Sequence, residues 1–257
     1  MKRFFELICL VITVFLCGCN TCFQPQEMIV GKAQKIVIDG KADEKCWQDV
    51  PAYELSTSVE AWEKKHPAYA KIYSKKKVVP ANVKFLYDKN YLYIRADLED
   101  DDIVALGTQD QESQCTKGDV FEIFLKPENA LHYWEIHITP AGHSAVIFYP
   151  SRGYHFLGKI VMPEKSPLKK FRFKVSLNGT LNNGKDVDRS WTVEAAIPLD
   201  ELKAQGVPFD DQNQWKVLIS RYNYSRYQAF CELSSCPELT KLDFHVHEEY
   251  GSLKLVK

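Results

Sequence analysis

Two histidines and two glutamates lie close together near the end of the chain and could hold a metal ion. His245 and His247 are separated by one residue and are followed directly by Glu248 and Glu249. On a strand, alternate side chains point to the same face, so the two imidazoles would lie side by side. Imidazoles with a carboxylate form a donor set that suits transition metals. A closing segment without a ligand explains the same residues, so the sequence leaves the metal open.

The acidic run from Glu99 to Asp102 is a second candidate cation site. Its consecutive carboxylates offer the oxygen ligands that Ca²⁺ prefers, and Ca²⁺ takes six or more of them. A solvated acidic turn explains the same run and is the favoured interpretation. We therefore expect no cofactor, with calcium at this run as the alternative.

Common catalytic and nucleotide-binding motifs are missing from the sequence. It contains no G-x-S-x-G, H-E-x-x-H, P-loop or G-x-G-x-x-G string, so no catalytic group is identified. The chain has 33 Lys and Arg against 34 Asp and Glu, a formal net charge of -1. Nucleic-acid binding usually needs a clustered basic face. We therefore expect no nucleic-acid partner.

The N-terminus has the pattern of an export signal. Lys2 and Arg3 precede an apolar run from Leu7 to Cys17, which is too short to span a bilayer as a mature helix. The following Leu16-Cys17-Gly18-Cys19 resembles a bacterial lipobox, in which the last cysteine is acylated after cleavage. We predict a signal peptide over 1–18, lipidation of Cys19 and a tether over 19–33. An ordinary cleaved signal and a retained anchor are the alternatives.

From this export pattern we expect the chain in a bacterial cell envelope, as an outer-membrane or cell-surface lipoprotein that touches the membrane through its lipid anchor only. Disulfides persist in such compartments. Cys231 and Cys236, in the segment CELSSC, would then either form a disulfide that closes a loop or remain two free thiols. Beyond the predicted lipidation site Cys19, no two cysteines are spaced as C-x-x-C, which argues against a thiolate zinc site.

Alternating apolar and polar residues predict a β-rich fold. Aromatic residues make up 12% of the chain and hydrophobic residues 45%, a composition typical of folded proteins. Two short segments, 43–49 and 199–204, have helical patterning. We predict an antiparallel two-sheet β-sandwich with one or two short helices, in one domain over 34–257. The predicted strands are 82–88, 91–99, 119–126, 132–139, 144–149, 171–177, 191–197, 215–224 and 252–256.

Several strings, in order along the chain, together resemble the family 9 carbohydrate-binding modules. The most characteristic are IDGKAD with the following CW, GDVFEIFL, WTVEAAIP and FHVHEEYGSL, which begin at Ile38, Gly118, Trp191 and Phe244. The resemblance implies a jelly-roll-like β-sandwich related to the DOMON-type folds. It also implies sugar binding.

The resemblance further implies which side chains would contact a sugar. The family's carboxylate falls on Glu122, its next contacts on His137 and Thr139, and later ones near Ser220, Arg221 and Asn223. For Glu122, His137 and Arg221, an internal ion-pair network is the alternative. The two aromatic rings that clamp the sugar in the family have no equivalent at 114–116 or 231–233. Replacement rings could come from Trp62, Tyr149, Tyr154, Tyr222, Tyr224 or Tyr227, and Tyr222 completes the predicted site.

From the sequence we therefore expect a non-catalytic, exported lipoprotein that binds oligo- or polysaccharide and holds it for separate glycoside hydrolases. One alternative is a scaffold or interaction protein on the same β-sandwich that has lost the sugar clamp. A glycan hydrolase, with carboxylates that the sequence cannot place, is the other.

Overall fold

The structure is a computed structural model, and it describes residues 25–65, 67, 78–156 and 162–256. The predicted signal peptide and the predicted lipidation site Cys19 lie outside these residues. Within the described ranges, no helix is both long enough and apolar enough to cross a bilayer.

Strands dominate the described residues. Three short helices, α1 (Val59–Lys65), α2 (Arg152–Phe156) and α3 (Leu199–Lys203), lie between them, with 3₁₀ turns at Lys45–Trp47, Gln114–Thr116 and His247–Glu249. The strands are β1 (Glu27–Lys32), β2 (Tyr53–Glu54), β3 (Ala81–Tyr87), β4 (Tyr91–Glu99), β5 (Val120–Pro127), β6 (Tyr133–Ile138), β7 (Ser144–Tyr149), β8 (Arg172–Asn178), β9 (Ser190–Pro198), β10 (Trp215–Asn223), β11 (Glu232–Cys236) and β12 (Gly251–Leu255).

The strands form one curled sheet that folds into two layers. Its order is β7-β6-β5-β10-β12-β1-β3-β4-β9-β8, with β11 paired to β10 and β2 paired to β3. The predicted β-sandwich is therefore confirmed. The sheet is mixed rather than purely antiparallel, because β1 pairs in parallel with both β12 and β3.

Strand β1 also corrects the predicted domain boundary. Residues 27–32 fall inside the expected tether, yet they join the two layers of the sheet. Met28 and Val30 are fully buried in the core. The segment is too short to show a clear alternating pattern, so its strand character depends on the partners β12 and β3, which lie far away in sequence.

Alternation along each strand separates the core from the outer face of the first layer, which comprises β7, β6, β5, β10 and β11. On β5, Phe121, Ile123 and Leu125 pack into the core between the layers. The intervening Glu122 and Phe124 therefore point to the opposite, outer face of this layer. That face carries the candidate site.

Two segments were predicted to have helical patterning. The segment 199–204 contains α3, whereas the segment 43–49 contains the 3₁₀ turn at Lys45–Trp47.

Candidate functional site

A pocket of about 480 Å³ lies on the outer face of the first layer. Its walls include residues of β5, β6, β7, β10 and β11, of α2, and of the segment that leads into β12. Apolar and aromatic side chains surround a polar floor, as is common in small-ligand sites. The side chains that line it include Cys115, Glu122, Phe124, Glu135, His137, Tyr149, His155, Tyr222, Leu233, Phe244 and His245.

The floor of the pocket is a buried cluster of one histidine, two glutamates and a serine. The Nε2 atom of His137 lies 2.6 Å from Oε1 of Glu135 and 3.2 Å from Oε1 of Glu122. The Ser220 hydroxyl donates a 2.7 Å hydrogen bond to the other oxygen of Glu122. Glu122 on β5 lies directly opposite His137 on β6 and Ser220 on β10. The strand register therefore fixes this cluster.

Burial and charge set the protonation of this cluster. Burial raises the pKa of Glu122 to about 7, because water no longer stabilises the carboxylate. Burial opposes the charged form of His137, but the two neighbouring carboxylates outweigh it and raise its pKa to about 9. Burial also opposes the charged form of Glu135, yet hydrogen bonding to His137 lowers its pKa. At neutral pH, His137 and Glu135 therefore form a buried ion pair.

A second histidine approaches the cluster from the segment before β12. Nδ1 of His245 lies 2.8 Å from the Tyr133 hydroxyl, and its Nε2 lies 3.9 Å from Oε2 of Glu135. The His155 ring stacks on the His245 ring at a centroid distance of 3.5 Å. Burial lowers the pKa of His245 to about 4, so this imidazole is neutral at pH 7.

The four residues predicted as a metal site near the end of the chain do not converge. They lie in a loop and a 3₁₀ turn rather than on a strand, because β12 begins only at Gly251. Glu248 forms an ion pair with Arg152 at 2.8 Å. Glu249 accepts hydrogen bonds from Thr240. His245 alone of the four lines the pocket.

Aromatic rings form part of the pocket wall. Tyr222 meets Phe244 nearly edge-on, with ring centroids 5.6 Å apart, and Phe124 lies 6.4 Å from Phe244. Tyr149 stacks on Tyr133 at 4.5 Å. Tyr149 and Tyr222 are the two predicted replacement rings that line the pocket. Where the family places its clamp rings, Cys115 and Leu233 border the pocket instead.

The other predicted replacement rings lie elsewhere. Trp62 is buried against Phe230, with ring centroids 5.8 Å apart. Tyr224 donates a hydrogen bond to the carbonyl of Cys115. Tyr154 and Tyr227 are exposed, and neither lines the pocket.

Of the polar residues predicted to contact a sugar, Arg221 and Asn223 lie on the wrong side of the sheet. Strand β10 turns Ser220 and Tyr222 to the pocket, so Arg221 and Asn223 point into the interior. Arg221 is fully buried, and its Nη2 atom donates hydrogen bonds to Asp100 at 3.0 Å and to Asn223 at 3.1 Å. For Arg221, the internal ion-pair alternative is therefore the correct one.

Thr139 follows β6 on the same face as His137, but it is buried in a turn. Its backbone N–H and its hydroxyl both hydrogen-bond the carbonyl of His143, the latter at 3.2 Å. It is not among the residues that line the pocket. Glu122, His137 and Tyr222 are thus the predicted contacts that the structure brings together there.

The acidic run considered for Ca²⁺ faces protein donors. Asp100 accepts hydrogen bonds from Arg221 and from the Trp191 indole. Asp102 pairs with Arg226 at 2.7 Å, and Asp101 accepts a hydrogen bond from Ser225. These carboxylates stabilise the connection between β4 and the end of β10, so we do not propose calcium there.

Cys231 and Cys236 are free thiols in the structure, which corrects the disulfide alternative. Cys231 directly precedes β11 and Cys236 ends it. An extended chain rises about 3.3 Å per residue, which separates these residues by roughly 16 Å. A disulfide requires Cα atoms within about 7 Å of each other. The same strand therefore keeps the two thiols apart.

Glu135 is the important site residue that the sequence did not identify. It lies two positions before His137 on β6, so period-2 alternation puts both on one face. That spacing was a usable signal once His137 was a candidate. Phe244 and His155 had no such signal, because loop packing brings them to the pocket.

Residues 38–139 match the family model described as "Carbohydrate family 9 binding domain-like". No curated protein sequence matches the chain.

Three solved structures share the fold. A protein from Bacteroides uniformis, provisionally classed as carbohydrate-binding, is 14% identical with a TM-score of 0.65, over 91% of this chain and 100% of its own. A family 9 carbohydrate-binding module from Caldicellulosiruptor kristjanssonii, solved with cellotriose, is 16% identical with a TM-score of 0.54, over 90% and 93% of the two chains. A structure of such a module from the same organism with glucose is 15% identical with a TM-score of 0.54, over 90% and 96%. The chain therefore contains a domain like the carbohydrate family 9 binding domains, as its motifs predict.

Proposed function

We propose that the protein binds carbohydrate in the pocket on the outer face of the first layer. The observation that carries this proposal is the combination of aromatic rings and a polar floor in one pocket. Tyr222 and Phe244 offer apolar faces, on which the C–H groups of a pyranose could pack. Glu122 and His137, at positions where the sequence resemblance implies sugar contacts, offer hydrogen-bonding groups for hydroxyls. The family match over residues 38–139 supports the same ligand class.

Binding without catalysis fits this geometry best. Glycoside hydrolases usually place two carboxyl groups on either side of the scissile bond. Here the imidazole of His137 lies between Glu122 and Glu135 and is within hydrogen-bond distance of both. A glycosidic bond cannot occupy the same space, so this pair does not form such a catalytic arrangement.

We further propose that the protein is exported and anchored by a lipid on Cys19, where it holds glycans for separate hydrolases. The support is the basic N-terminus, the short apolar run and the lipobox-like string. Metabolic labelling with a fatty-acid analogue tests this: the chain should be labelled, whereas Cys19→Ala should not. Equal labelling of both chains would exclude Cys19 as the anchor.

The carbohydrate proposal is tested by titrating the full chain with glucose, cello-oligosaccharides and a wider glycan panel. Tyr222→Ala removes a ring of the pocket wall, and we expect its affinity for the best ligand to fall about tenfold, or about 1.4 kcal/mol. Tyr227→Ala is the matched control, because Tyr227 is 55% exposed and does not line the pocket. No binding to any glycan, or equal losses in both variants, would contradict the proposal.

A further inference from the structure

The polar floor of the pocket has the composition and spacing of a metal site. Glu122, Glu135 and His137 each offer one donor atom, and these three atoms lie within 4.8 Å of one another. All three side chains are buried and belong to adjacent strands whose register holds them in place. Such rigid positioning, rather than a flexible loop, is what a preformed metal site needs.

One of the two distances from His137 to the carboxylates fits a coordination sphere as it stands. With bonds of about 2.0 to 2.1 Å, two ligands on a tetrahedral Zn²⁺ are separated by about 3.3 Å. The distance from Nε2 of His137 to Oε1 of Glu122 is 3.2 Å, so it already has this value. The distance to Oε1 of Glu135 is 2.6 Å and would have to open by about 0.7 Å, which a small side-chain rotation can supply.

His245 offers a fourth ligand, although it lies outside the group of three whose donor atoms are already within 4.8 Å of one another. Its Nε2 atom lies 3.9 Å from Oε2 of Glu135, on the same pocket wall. The Tyr133 hydroxyl lies 2.8 Å from Nδ1 and can accept the Nδ1 proton, which leaves the Nε2 lone pair facing the cluster. Metal-binding histidines usually have their second nitrogen held by such a partner.

Charge balance is compatible with a divalent cation in place of the ion pair. Protonated His137 can neutralise one carboxylate, and the second must either take up a proton or pair with a further cation. Buried charges are stable mainly when they are paired or bound to metal. Two carboxylates and one divalent cation sum to zero, and both imidazoles would then be neutral ligands.

We propose that Glu122, Glu135, His137 and His245 bind one divalent transition-metal ion, of which Zn²⁺ is the representative, at the floor of the pocket. On binding, the Nε2 nitrogen of His137 exchanges its proton for the metal, and that proton leaves to solvent. Imidazole with carboxylate suits transition metals, whereas Ca²⁺ prefers a sphere of oxygens. The inference stands without the carbohydrate proposal, because it depends on these four side chains alone.

The test is a titration of the full chain with ZnCl₂, followed by metal analysis after gel filtration. Glu122→Gln and His137→Gln preserve approximate size but remove a ligand each, and we expect at least a tenfold loss of affinity for one Zn²⁺ per chain. Glu194→Gln and His143→Gln are matched controls, because neither side chain belongs to the cluster. All of these variants retain every cysteine. Any Zn²⁺ that thiols bind is therefore the same in each chain and does not affect the comparison.

Tyr133→Phe adds a milder variant that keeps all four ligands. Removing the Tyr133 hydroxyl, which lies within hydrogen-bond distance of Nδ1 of His245, should weaken Zn²⁺ binding about tenfold. The unfolding midpoint measured without metal identifies any general loss of structure. Equal Zn²⁺ content and affinity in the wild type and all variants would overturn the proposal, as would a wild type that binds none. In either case the cluster would be an ion pair only. The Zn²⁺ titration contains no sugar, so its result is independent of the result of the glycan titration.

Discussion

Nη2 of Arg221 lies 3.0 Å from Oδ2 of Asp100, and neither side chain reaches solvent. This ion pair lies inside the sandwich, on the face of β10 opposite the pocket. It connects the end of β4 to β10 and leaves Arg221 unable to contact a ligand on the outer face. The pair therefore acts on stability rather than on recognition.

Arg221→Met should destabilise the protein strongly, because it leaves the Asp100 carboxylate buried without its cation. Removal of one partner from a buried ion pair typically costs about 3 to 5 kcal/mol in the free energy of unfolding. Urea unfolding measures this change. The double variant Arg221→Met/Asp100→Asn should recover part of the loss. An Arg221→Met chain as stable as the wild type would contradict the assigned role.

Stability should also depend on pH through His137. Its pKa of about 9 lies above the ordinary value of 6.5, so the folded state holds its proton more tightly than the unfolded state. The resulting stabilisation is fully present below pH 6.5 and is lost as the pH rises through about 9. Unfolding free energies between pH 6 and 10 should fall less steeply in His137→Gln than in the wild type. Parallel curves would show that His137 does not carry this dependence.

Strand β1 should be essential for folding. A chain that starts at residue 34 lacks Met28 and Val30, both fully buried, and exposes the edges of β12 and β3. We expect it to be aggregated or to lack a cooperative unfolding transition, whereas a chain that starts at residue 25 should unfold cooperatively. Circular dichroism and thermal unfolding compare the two. Equal stability would mean that β1 is dispensable and that the tether extends to residue 33.

Cys231 and Cys236 should both react as free thiols. Alkylation in denaturant without reductant, followed by mass spectrometry, should label both residues, because β11 holds them far apart. Burial raises the pKa of each thiol to about 12, so labelling in the folded state should be slow. A linked peptide containing both cysteines would contradict the structure.

Much of the fold could be predicted from the sequence, because alternation is a local signal. β4 and β7 have the predicted bounds, and β5 and β10 differ by a residue or two at their ends. β1 and β11 were not predicted, since each is short and depends on partners that are distant in sequence. Parallel pairing of β1 had no local signal at all.

The candidate site was only partly predictable for the same reason. Glu122 and His137 were identified because they follow recognisable strand motifs. Arg221 and Tyr222 are adjacent on β10, and a one-residue difference decides which of them faces the pocket. His155 and Phe244 reach the pocket through loops, whose packing depends on the whole fold.

The most direct test of the central claim is a crystal structure of the protein with its best-binding oligosaccharide. The account predicts a sugar ring in the pocket, within about 4 Å of the Tyr222 and Phe244 rings, with hydroxyl groups directed towards Glu122 and His137. A sugar bound elsewhere on the sandwich, with this pocket left open, would contradict the account.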